Sequence, residues 1–208
     1  MNFNNFKNKV AQLKVLELGG ENAQFKLAPK KRLKYDADKR AASNPRKAAV
    51  LALFYPNKQG ETCLLLTQRA HYKGVHSAQI SFPGGKTEKA DGNLQETALR
   101  ETFEEVGILE TSIHIIRKLT DVYIPPSNFL VTPFIGFVDQ KPAFNLNYEV
   151  AETIEVLASD LLNDANITAV TVHTSLKKNV EVPCFKLRGY IVWGATAMML
   201  SEIKELLR

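Results

Sequence analysis

One segment constrains this chain more than any other. After a short apolar run at 80–82 come Phe82-Pro83-Gly84-Gly85-Lys86, then Asp91-Gly92-Asn93, then an amphipathic stretch carrying Arg100, Glu101, Glu104 and Glu105, and finally Gly107. The turn formers close a short strand. Asn93 followed three residues later by Glu96 is a helix-starting pair of the capping-box kind, and Gly107 is placed to end the helix in a left-handed conformation, so the spacing predicts a helix over 94–106. At about 100° per residue the three glutamates share one narrow arc, roughly opposite Leu99, Phe103 and Val106. Like charges at helical spacing cost roughly 0.2–0.5 kcal/mol per pair, and no lysine is interleaved among them. A hard divalent cation held by carboxylate oxygens is the natural compensation; an acidic face turned to water is the competing reading.

The run from Gly85 to Ile108 resembles the Nudix box, G-x5-E-x7-R-E-U-x-E-E-x-G-U with U apolar. Its second half fits at each fixed residue. Its first half is one residue longer than the general pattern, with Asp91 standing roughly where the early glutamate belongs, and an extra loop residue is entropically cheap. The longer loop is similar to that of coenzyme A pyrophosphatases of the same superfamily, which carry an upstream signature L-L-T-x-R-[SA]-x3-R-x3-G-x3-F-P-G-G. Leu65-Leu66-Thr67-Gln68-Arg69-Ala70 fits its opening and Phe82-Pro83-Gly84-Gly85 its close, whereas Gly74 and Ala78 replace an arginine and a glycine. The likeness resumes at Val131-Thr132-Pro133-Phe134-Ile135-Gly136, at Glu149-Val150 and at Tyr190-Ile191-Val192-Trp193-Gly194-Ala195-Thr196-Ala197, and so spans roughly residues 46–207.

The resemblance implies an α/β (α+β) fold, a mixed β-sheet sandwiched between helices, and a metal-dependent hydrolase. Glu101, Glu104 and Glu105 would hold Mg²⁺ or Mn²⁺, with the backbone of Gly85 close by. Arg100 lies four residues after Glu96 and four before Glu104, so it is expected to bridge both and keep the acidic array in register. Glu149, with Glu152 as neighbour, is the distant candidate for the general base; a glutamate of the box is the alternative. Arg69 is the expected phosphate or pantetheine-side contact, Lys73 the replacement for the missing arginine, and Gly84 and Gly85 the substrate loop. Phe82 and the Tyr123–Asn128 loop are candidates to shape the entrance. The implied reaction is hydrolysis of the diphosphate of coenzyme A or acyl-coenzyme A to 3′,5′-ADP and a 4′-phosphopantetheine species. The alternatives are cleavage of another nucleoside diphosphate derivative, such as ADP-ribose or a dinucleotide, and a ligand-sensing module that has kept the fold without turnover.

Charge narrows the partners. The net charge is +5, but lysine and arginine crowd into 26–47, including Lys30-Lys31-Arg32, Lys34, Lys39-Arg40 and Arg46-Lys47. A basic segment ahead of a phosphate site would attract a polyanionic small molecule as readily as RNA, or merely aid solubility; a small-molecule substrate rather than nucleic acid is the expected partner. A chain of 208 residues, 45% hydrophobic, can bury one core. The expected division is a helical and basic extension over 1–45 and the Nudix domain over 46–208. No apolar run reaches membrane-spanning length and no signal-peptide core opens the sequence, so a cytoplasmic protein is expected. Cys63 and Cys184 read as reduced and structural, and His71, His76, His114 and His173 show no ligand spacing. The N-terminal helical stretch could serve a homodimer or cover the core.

The expected elements are a helix over 1–20, an antiparallel hairpin of strands 48–54 and 62–67, a short strand at 80–82, the helix at 94–106, strands near 113–123 and 130–138, a helix at 158–163, a hairpin of 168–175 with 180–187, and a final helix over 193–207.

Overall fold

The computed structural model of the chain describes residues 1–29, 44–70, 79–172 and 179–208. Among these, one mixed sheet is built from β1 (Arg46–Pro56), β2 (Thr62–Arg69), β3 (Ile80–Ser81), β4 (Gly84–Lys86), β5 (His114–Lys118), β6 (Val122–Ile124), β7 (Phe129–Phe137) and β8 (Val150–Leu157). Strands β1 and β7 run parallel, from Arg46 opposite Phe129 to Phe54 opposite Phe137. The other pairs are antiparallel, including the expected β1–β2 hairpin with Phe54 opposite Leu64. A smaller antiparallel sheet orders β11 (Tyr190–Trp193), β10 (Val180–Leu187) and β9 (Ile167–Val172). The helices are α1 (Phe3–Val15), α2 (Gly20–Phe25), α3 (Leu94–Val106), α4 (Ala158–Leu162) and α5 (Gly194–Leu207).

Both faces of the central strands are apolar because helices cover both. Leu51, Leu53 and Tyr55 of β1, with Cys63 and Leu65 of β2, pack toward Ala98 and Val106 of α3. The alternate residues Ala52, Phe54, Leu64 and Leu66 face a second cluster with Phe6 and Leu13 of α1 and Met198, Leu200 and Ile203 of α5. A strand's period of two thus feeds two cores, giving the expected sandwich. Phe6 is fully buried with its ring centroid 4.8 Å from that of Phe54, worth about 1.5–3 kcal/mol in removed apolar surface. Among the described residues, no helix is long and apolar enough to cross a membrane.

Several expectations need correction. The N-terminal helix is two, α1 and α2. The strand expected over 113–123 is interrupted: Leu119 turns inward, donating its N–H to the Pro133 carbonyl, before β6 resumes. Strands β4, β8 and β11 were not anticipated. Phe103, expected on the buried face of α3, is 46% exposed, while Thr97, Ala98, Thr102, Glu105 and Val106 are buried. Thr102 takes the apolar position of the box, its hydroxyl satisfied by the Ala98 carbonyl at 2.7 Å. The second half of the 168–175 strand, Lys73, Gly74, Ala78, His71, His76, His173 and the basic run from Lys30 to Arg40 lie outside the described residues.

Candidate active site

Local signals place α3 as the sequence reads. The Asn93 side chain accepts from the N–H groups of Gln95 and Glu96. Glu96 reaches back to the Gly92 N–H at 2.9 Å and to the Asn93 side-chain amide at 2.7 Å, so the return bond of the capping box falls one residue earlier than its usual target. Gly107 closes the helix at φ +76°. The register of β4 on β1, with Gly85 opposite Ala49 and Gly84 opposite Val50, then sets the glycine pair under the helix.

The two glycines do different work. Gly84 sits at φ +147°, and a Cβ there would strike the Ala49 carbonyl and the Val50 backbone. Its N–H donates to Glu105 Oε2 at 3.1 Å. At Gly85 a Cβ would lie 2.5 Å from the Glu101 carboxylate. A bare backbone is therefore needed for that carboxylate to rest against the loop.

Arg100 is clamped, but not by the expected partner. It bonds Glu104 at 3.1 Å as the spacing implies, yet Glu96 is engaged in capping. Asp91 takes its place, accepting from Arg100 Nε at 2.8 Å and Nη2 at 3.0 Å, and also from the Thr97 hydroxyl and the Glu88 N–H, each at 2.8 Å. Arg100 further donates to the Lys86 carbonyl at 3.2 Å and pairs with Glu101 at 3.2 Å. The hydrogen-bonded guanidinium holds the Asp91 carboxyl well below the usual carboxylate range, and Asp91 in turn raises Arg100. Asp91 is thus a functional residue to which no role falls by helical spacing; its place near the early box glutamate is the signal that marks it.

The three box glutamates are not equivalent. The Glu105 side chain is 4% exposed, and burial pushes its carboxyl up to about 7 against the pull of the Gly84 N–H and Arg69. Burial also raises Glu101, opposed by Arg100 and reinforced by the charges of Glu104 and Glu149. Glu104 lies at the rim with its side chain 49% exposed. Glu149 joins the group from the loop ahead of β8, its backbone set by an N–H bond to the Asn147 side chain and by the Ala70 N–H on its carbonyl. Arg69, leaving the end of β2, spans Glu105 at 3.5 Å and Glu149 at 3.1 Å.

Among the described residues, no three His, Cys, Asp or Glu side chains are gathered as a ready-made metal cage; Arg69 and Arg100 stand among these carboxylates. The donor chemistry nonetheless fits a hard dication. Oxygen ligands predominate, Glu105 and Glu101 are buried against the repulsion of their neighbours, and the bare Gly85 backbone adjoins Glu101. Glu152 faces away into a hydrogen bond from the Tyr190 hydroxyl. His114 pairs with Asp139 at 3.2 Å, and the Tyr123–Asn128 turn is held by the Tyr123 hydroxyl on Asn128 and by Arg46 on the Ser127 carbonyl. Both cysteines are buried and free.

The fold and this arrangement define a class, and comparison with known proteins agrees. The profile of the NUDIX domain matches residues 45–164. Uncharacterized Nudix hydrolase NudL of Yersinia pestis (strain Pestoides F) is 30% identical over 167 residues, covering 79% of this chain and 81% of its own. The protein of the same name from Yersinia pseudotuberculosis serotype O:1b (strain IP 31758) matches to the same extent. Among solved structures, RenU, a Nudix hydrolase from M. Smegmatis, superposes with a TM-score of 0.55 at 17% identity over 78% of this chain and 86% of that one. A MutT/nudix family protein from Enterococcus faecalis gives 0.54 at 15% identity over 85% and 71%. These structures speak to the fold alone. The chain belongs to the Nudix family. Its class of activity is that of a Nudix hydrolase.

Proposed function

We propose that the chain hydrolyses the diphosphate linkage of coenzyme A or an acyl derivative with the help of Mg²⁺ or Mn²⁺, releasing 3′,5′-ADP and the corresponding 4′-phosphopantetheine. The observation that carries the reading is Arg69 reaching both Glu105 and Glu149 beside the glycine pair against which Glu101 rests. The subfamily assignment draws on the run 65–70 and on Phe82-Pro83-Gly84-Gly85, which β2 and β4 bring to the same end of α3.

A bound divalent ion would neutralise the diphosphate oxygens and acidify water. Glu101 and Glu105 would hold it, with Glu104 at the outer edge and the Gly85 backbone alongside. Asp91 fixes Arg100, and Arg100 fixes Glu101 and Glu104, so the carboxylates are oriented before substrate arrives. Arg69 supplies a planar fork matched to a phosphate. Glu149, 41% exposed at its side chain and thus open to water, takes the proton of the attacking water. As the new O–P bond forms, the bridging oxygen leaves with the electron pair of the broken bond and remains on the other phosphate.

The test is incubation with Mg²⁺ or Mn²⁺ and, in parallel, coenzyme A, ADP-ribose and NADH, with products identified by mass. Coenzyme A is expected to yield 3′,5′-ADP fastest. Faster turnover of ADP-ribose or NADH would move the assignment to another nucleoside diphosphate, and consumption of none under either metal would refute the enzyme reading.

A further inference from the structure

Arg69 occupies a place where a cation is wanted. It leaves β2 where the ladder with β8 slips between Gln68 and Arg69. Its two terminal nitrogens reach carboxylates on different elements, Nη1 lying 3.5 Å from Glu105 of α3 and Nη2 lying 3.1 Å from Glu149 ahead of β8. Arg100, the other guanidinium among these acids, is fixed from behind by Asp91 and the Lys86 carbonyl. Arg69 pairs with Glu105, a carboxylate the metal would claim, and with Glu149, the general base. A dication approaching Glu105 meets the guanidinium at ion-pair distance, and two positive groups a few ångströms apart beside that buried carboxylate repel each other.

We infer that Arg69 is a placeholder cation. It neutralises Glu105 and Glu149 while no metal is bound, is displaced from Glu105 when a divalent ion takes that carboxylate, and thereby turns to grip a phosphate of the substrate. The inference rests on the reading of Glu101 and Glu105 as metal ligands. A guanidinium suits both stations because one fork fits carboxylate and phosphate alike. The device orders the site: the phosphate-binding arm is delivered by the ion that prepares the diphosphate for attack. By linkage, a diphosphate that engages Arg69 removes the metal's competitor and so tightens metal binding by the same factor with which metal tightens diphosphate binding.

The experiment measures binding. Mn²⁺ is titrated calorimetrically into the full chain and into Arg69→Gln at pH 8.5 without substrate, then again with imidodiphosphate, correcting for Mn²⁺ complexed by that anion in solution. Arg69→Gln is expected to bind Mn²⁺ about fivefold or more tightly than wild type, the lower end of ordinary coupling between sites. Imidodiphosphate is expected to raise Mn²⁺ affinity more in wild type than in the variant. Equal or weaker Mn²⁺ binding by a folded Arg69→Gln, beside normal binding by wild type, overturns the placeholder and leaves the metal site standing. Absence of Mn²⁺ binding in both overturns the placeholder together with the metal-ligand reading. A second measurement needs only the wild-type fold: the arginine Nε–H signal assigned to Arg69 by its loss in Arg69→Lys should shift on adding Mg²⁺ and shift again with imidodiphosphate. A signal indifferent to Mg²⁺ refutes the displacement.

Discussion

Replacing Asp91 by asparagine tests the clamp behind the acidic array. The Asp91 carboxylate is 4% exposed at its side chain and receives two bonds from Arg100, one from Thr97 and one from the Glu88 N–H. An amide keeps a single oxygen, so its NH₂ must point at a donor, either the guanidinium or the Thr97 and Glu88 pair. Removing one partner of a buried ion pair costs roughly 3–5 kcal/mol. Arg100 keeps Glu101 and Glu104 and remains partly accessible, so the lower end applies, and about 3 kcal/mol is expected, or roughly 6–12 °C in Tm for a chain of this size. The sign with pH follows from the depressed carboxyl. Its stabilisation is fully present above the unfolded value of 3.8 and is lost as pH falls through the lower folded value. Urea unfolding of both proteins at pH 7 should therefore show the full gap with unchanged m, shrinking below about pH 3.8, and half-molar salt should leave most of it in place because the pair is buried. Diphosphate cleavage should fall about 10–100-fold, as when an outer partner of a metal ligand is lost. A variant within about 0.5 kcal/mol of wild type at pH 7, the range of ordinary surface changes, would refute the clamp.

Three further outcomes follow from the same geometry. Glu105→Gln should abolish turnover and Mg²⁺-induced stabilisation, yet in chelator at pH 8 it should melt above wild type. A carboxyl raised by burial from 4.5 to about 7 carries no penalty below the first value and its full penalty above the second; a lower melting point at pH 8 would contradict the assignment. Gly84→Ala should lose folded protein on expression or several degrees in Tm, because it adds a Cβ against the Ala49 carbonyl at φ +147°; an unchanged Tm would show that β4 relaxes freely. Glu202→Ala, which strips the acceptor from Gln24, Thr120 and the Gly20 N–H, should destabilise by about 2–4 kcal/mol in urea titration.

What the sequence disclosed and what it hid divide along local and distant contacts. The bounds of α3 were legible because Asn93, Glu96 and Gly107 act within a turn of the residues they cap. The box glutamates were legible as a set, but not their inequality. Glu105 is buried because the Gly84 N–H and the loop at Asn147 close over it, while Glu104 at the adjacent position faces outward. Arg100 was assigned to Glu96 by helical spacing, a rule that holds when no loop competes; a loop carboxylate with two more donors won. Strand β8 shows Val150, Ile154 and Val156 in alternation, yet the glutamates among them drew attention as site candidates. Strand β11 follows a tight turn at Arg188 and Gly189, both at positive φ, and fell in the gap between the strand expected to end at 187 and the helix expected from 193. Phe103 was placed inside because it shares an arc with Leu99 and Val106, which does not say whether anything lies above that part of α3.

One buried cluster has a consequence for synthesis. Glu202 of α5 accepts from Gln24 of α2 at 2.9 Å, Ser201 donates to the Ala23 carbonyl at 2.7 Å, and Lys26 pairs with Glu205. A ribosome that has released only the first 190 residues offers α2 none of these partners, and the cluster holding Phe54, Leu64 and Leu66 has α1 but not yet Met198, Leu200 and Ile203 of α5. Loop closure over so long a span delays the reward for every earlier contact. Chaperone dependence should therefore be greatest until α5 has emerged, while its side of this core is still open.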